Sequence, residues 1–109
     1  MLEQLHNGQI ELAAKRATAL LVKRSLTDYH SPRQIGVLMD CTLRELAPDY
    51  QATTASRWAQ YANGVAVNLG NGEGVTNRRW GAVSNDVKAA AYALADLVSD
   101  RLNACGPAL

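Results

Sequence analysis

Trp58-Ala59-Gln60-Tyr61-Ala62-Asn63-Gly64-Val65-Ala66-Val67-Asn68-Leu69 satisfies two incompatible periodicities, and the fold class turns on which of them prevails. As a helix, the segment gathers Trp58, Tyr61, Val65, Ala66 and Leu69 into one stripe, with Thr53 or Thr54 as the side-chain cap. As a strand, it alternates Val65, Val67 and Leu69, and Asn71-Gly72 becomes a hairpin turn leading into Val75 to Trp80. The helix has a cost, since Asn63-Gly64 in its middle loses about 1 kcal/mol relative to alanine. The hairpin has a greater one: an isolated two-stranded ribbon is marginal in water, and no other segment reads as a strand. Helix is the expectation.

The neighbouring segments agree with that choice. Leu2 to about Arg24 carries Ile10, Ala13, Ala14, Ala17, Leu20 and Leu21 at three- and four-residue spacing, a narrow, alanine-rich stripe flanked by Lys15, Arg16, Lys23 and Arg24. The last two cations are expected in the final turn, where they complement the helix dipole. Ser25 to His30 breaks the pattern, and Ser31-Pro32 is a side-chain cap followed by proline at the first helical position. A second helix should run from Pro32 to about Leu46 with Ile35, Leu38, Met39, Thr42, Leu43 and Leu46 on one stripe, ending at Ala47-Pro48-Asp49. The final helix begins at Ser84 and Asp86, buries Val87, Ala90, Ala91, Leu94, Leu97, Val98 and Leu102, and stops at Cys105-Gly106-Pro107. The pattern is all-α: about four helices in a small antiparallel or orthogonal bundle, with a Gly/Asn-rich connection before the last.

One domain over residues 1–109 suits this length, with 48% hydrophobic residues to form its core. There is no Phe, so the core must come mainly from Leu, Val, Ile and Ala, and small side chains allow helices to approach closely. Eleven Lys and Arg against ten Asp and Glu leave a net charge of +1, which withholds the electrostatic signature of a nucleic-acid binder. Cys41 and Cys105 match neither a disulfide-rich framework nor a metal-ligand spacing, and read as two half-buried free thiols in a reducing cytoplasm, with a single long-range disulfide as the alternative. No apolar run of signal-peptide or membrane-spanning length is present.

The candidate chemistry is sparse. Asp28-Tyr29-His30-Ser31 reads as a solvated interhelical loop, because neighbours on an extended segment point apart. No short His or Cys pairing suggests a metal, and no cofactor motif is present. Gly70-Asn71-Gly72-Glu73-Gly74 lacks the preceding strand and lysine of a phosphate cradle, and Glu73 has the wrong charge. Thr53-Thr54-Ala55-Ser56-Arg57-Trp58 resembles the start of a helix-turn-helix recognition helix, which implies DNA contact through Arg57, but the connection before it, from Leu46 and including Pro48, is too long for that motif. The simpler reading is a capped helix with a core tryptophan.

What remains is a non-enzymatic protein-binding chain, a small regulator of anti-activator or inhibitor type that covers a surface of a partner protein. Its anchors are expected to be Arg78, Arg79 and Trp80 in the Gly-rich connection, extended by Tyr50 and Arg57, since Trp, Tyr and Arg dominate interface energetics. Leu2, Leu5 and Leu12 add apolar surface to the first helix, more than one small chain is expected to cover, so a homodimer through that helix is also expected. DNA is the alternative partner.

Overall fold

The computed structural model describes residue 2 and residues 4–28, 31–50, 55–70 and 83–105. Four helices make up nearly all of this: α1 (Asn7–Asp28), α2 (Pro32–Leu46), α3 (Ala55–Gly70) and α4 (Asn85–Cys105). No strand occurs among the described residues, and the segment from Trp58 to Leu69 is helical throughout. The Gly/Asn-rich connection, and with it the second arm of the alternative hairpin, lies outside the described residues.

Local chemistry sets the helix ends. At α2, Ser31 Oγ accepts the Gln34 N–H at 3.1 Å while Gln34 Oε1 accepts the Ser31 N–H at 2.8 Å, a reciprocal capping box with Pro32 inside it. The Ala47 N–H closes the other end on the Leu43 carbonyl at 2.8 Å. At α4, the Val87 N–H reaches Ser84 Oγ at 3.4 Å, and Asp86 occupies the first turn.

The first helix departs from the sequence reading at both ends. Its start is displaced to Asn7 because the His6 carbonyl accepts from both Gln9 and Ile10, and the His6 N–H donates to Gln9 Oε1 at 3.2 Å. Leu2 precedes the helix and folds back into the core, 2% exposed, with its carbonyl accepting the Leu5 N–H at 3.1 Å. At the far end, the polar residues Ser25, Thr27 and Asp28 remain helical; each costs only tenths of a kcal/mol, roughly, and neither Gly nor Pro interrupts. Lys23 and Arg24 therefore sit short of the final turn. Arg24 reaches across to Asp96 of α4 instead, at 3.0 Å.

Packing follows the expected stripes. Ala13, Ala14, Ala17 and Leu21 of α1, Ile35, Met39 and Leu43 of α2, Trp58, Ala62 and Val65 of α3, and Val87, Ala91, Leu94, Val98 and Leu102 of α4 are all buried in one cluster. Helix α2 lies closest to α3, and α1 lies closest to α4. Both α1 and α2 also approach each other and the remaining helices, whereas among the described residues no Cα of α3 comes within 8 Å of one of α4. These two therefore occupy opposite corners of the bundle. The radius of gyration, 13.0 Å, matches the value of about 13 Å for a compact chain of this length.

Small residues bring the pairs together. Gly36 of α2 faces α3 so closely that a Cβ placed there would stand 2.5 Å from the Ala59 nitrogen and 2.8 Å from the Ala55 carbonyl oxygen. Two buried hydroxyls beside the core have partners: Thr18 Oγ1 donates to the Ala14 carbonyl at 2.8 Å, and Thr42 Oγ1 accepts from Arg101 at 2.9 Å. Arg101 also forms an ion pair with Glu45 at 2.9 Å, so a single α4 side chain ties down two positions of α2.

Candidate protein-interaction surface

Helix α3 has an outer face unlike those of its neighbours. From Ala55 to Val67 its exposed residues are Ser56, Arg57, Gln60, Tyr61, Asn63, Gly64 and Val67, and Arg57 is the one charge among them. The exposed surface of α1 carries Lys15, Lys23 and Arg24, and that of α4 carries Asp86, Asp96 and Asp100. Arg57, Gln60, Gly64 and Val67 follow one another at steps of three, four and three residues, which sets them on a single line along the helix. Val67, 53% exposed, is among the most exposed large apolar side chains described.

Tyr61 flanks that line on the side toward α1. It is 36% exposed, with its ring partly sunk against the bundle. Burial raises its phenol pKa above the usual 10.0, and the positive charge of Arg16 on α1 pulls in the opposite direction. The result is a tyrosine held neutral at the seam between α1 and α3, with Arg16 on one side and Arg57 one helical turn away.

The residues singled out from sequence separate into three groups. Arg57 is exposed and lies on this face. Tyr50 is 5% exposed; it belongs to the core, because the turn after α2 folds inward, with the Tyr50 N–H donating to the Ala47 carbonyl at 2.9 Å. There it borders a groove of about 340 Å³ shared with Leu2, Leu5, Ile10 and Leu46. Arg78, Arg79 and Trp80 lie outside the described residues. Trp58 is a core residue at 1% exposed, and its indole Nε1 has no hydrogen-bond partner among the described residues.

Tyr61, Gly64 and Val67 escaped the sequence reading as surface residues. Periodicity puts Tyr61 on the buried stripe, yet it stands at the edge of that stripe, where a ring is only partly covered. The available signal was negative: from Gln60 to Val67 no charged residue occurs, although the segment presents an outward face.

Other chemistry does not converge. No group of three or more His, Cys, Asp and Glu side chains suited to a metal occurs among the described residues. Cys41 is a free thiol that is exposed and not half-buried as its position suggests, because it lies on the outer side of α2 between the buried Met39 and Thr42, and His6 is exposed. The apolar surface attributed to α1 is largely taken up within the chain, with Leu2 buried and Leu5, Leu12 and Leu20 packed against the core. No described helix is long and apolar enough to cross a membrane. No protein family, curated protein or solved structure matches this chain.

Proposed function

We propose that this protein is a small non-catalytic regulator that binds a partner protein through the outer face of α3. The observation that carries this reading is the composition of that face: Arg57 and Tyr61 beside uncharged Gln60, Asn63, Gly64 and Val67, with neither Lys, Asp nor Glu. Interface centres are poor in charge and rich in Tyr and Arg, and the half-buried ring of Tyr61 loses little side-chain entropy on contact. Binding blocks the partner or alters its activity by covering its surface, which requires no cofactor. DNA binding draws less support, since a single cation on the face neutralises few phosphates. The exposed free thiol of Cys41 favours a reducing compartment, and we assign the protein to the cytoplasm.

The test is affinity capture of partners by the intact chain and by a variant combining Arg57→Ala with Tyr61→Ala. The variant should lose the specific partner while its circular dichroism stays helical. Retention of every partner by a folded double variant would place the interface elsewhere.

A further inference from the structure

We draw no further inference here: the strongest candidate, the groove between the start of α1 and the turn after α2, carries nothing, because Leu2, Ile10 and Tyr50 of its wall are already buried in the core and nothing in the structure shows what would fill it.

Discussion

Gly36 on α2 sits against Ala59 on α3 with no space for a side chain: a Cβ at position 36 would come within 2.5 Å of the Ala59 nitrogen and 2.8 Å of its Cα. The obstacle is backbone, which cannot swing aside as the end of a long side chain can. The α2–α3 pairing, the closest in the bundle, therefore depends on glycine at this point, and α2 holds the inner side of the helix that presents the candidate interface.

Gly36→Ala should destabilise the protein despite its gain in helix propensity. Overpacking in a close helix contact costs about 1–3 kcal/mol, against the gain of about 1 kcal/mol from replacing glycine. The net effect should be a lower urea midpoint. Gly64→Ala supplies the opposite case, since its Cβ enters open space. In urea unfolding this variant should be more stable than the wild type by about 0.5–1 kcal/mol. Two identical substitutions with the same sign would contradict this account of the α2–α3 contact.

Ser31→Ala removes one half of the capping box at α2, where Ser31 Oγ accepts the Gln34 N–H at 3.1 Å. A loss of about 1 kcal/mol is expected by denaturant unfolding. Ser31→Asp keeps an acceptor at the positive end of the helix and should restore most of it. Failure of the aspartate to rescue would show that the hydroxyl acts through something other than the cap.

The contrast between α2 and α1 shows what the sequence made legible. Ser31-Pro32 at one end and Ala47-Pro48 at the other are strong punctuation, and α2 runs from Pro32 to Leu46 as its residues imply. The start of α1 offers only Asn7-Gly8, a weaker signal than Ser31-Pro32, and the choice between Leu2 and Asn7 also depends on Leu2 turning back toward the core, a tertiary preference invisible in periodicity. Tyr50 illustrates the same limit. An aromatic next to a Pro-Asp turn looks presentable, but the direction of the turn is set by the apolar surface of Leu2, Leu5 and Leu46 that it joins. The α3 face is only partly legible: the sequence marks Arg57 as a surface anchor, whereas the exposure of Gly64 and Val67 emerges once the partners of α3 are known.

Arg101 joins α4 to α2 through a buried hydroxyl and an exposed carboxylate, and the two contacts should differ in worth. Thr42 is fully buried, so removing its donor leaves a desolvated oxygen, a loss of about 1–3 kcal/mol. The Glu45 carboxylate is well exposed and screened, and its pair with Arg101 contributes about 0–1 kcal/mol. Arg101→Met should therefore lower thermal stability clearly more than Glu45→Gln. Equal effects would mean that the ion pair, rather than the Thr42 contact, holds the two helices.

Tyr61 links the candidate interface to pH. Its folded-state pKa lies above the usual 10.0 because burial penalises the phenolate, with Arg16 opposing that penalty. In the unfolded chain the phenol ionises at its ordinary pKa, so above that pH the unfolded state releases a proton that the folded state retains. The stabilisation is complete below about pH 10 and is lost as pH rises through the raised folded value. Tyr61→Phe should remove this component and flatten the alkaline limb of stability against pH. The difference between wild-type and Tyr61→Phe tyrosinate absorbance titrations should contain one group with a raised midpoint. If that midpoint falls at or below the ordinary value, Arg16 outweighs burial and the ring is more solvated than the seam between α1 and α3 implies. Partner binding that covers Tyr61 should raise the midpoint further, which makes the same titration a readout of contact at this face.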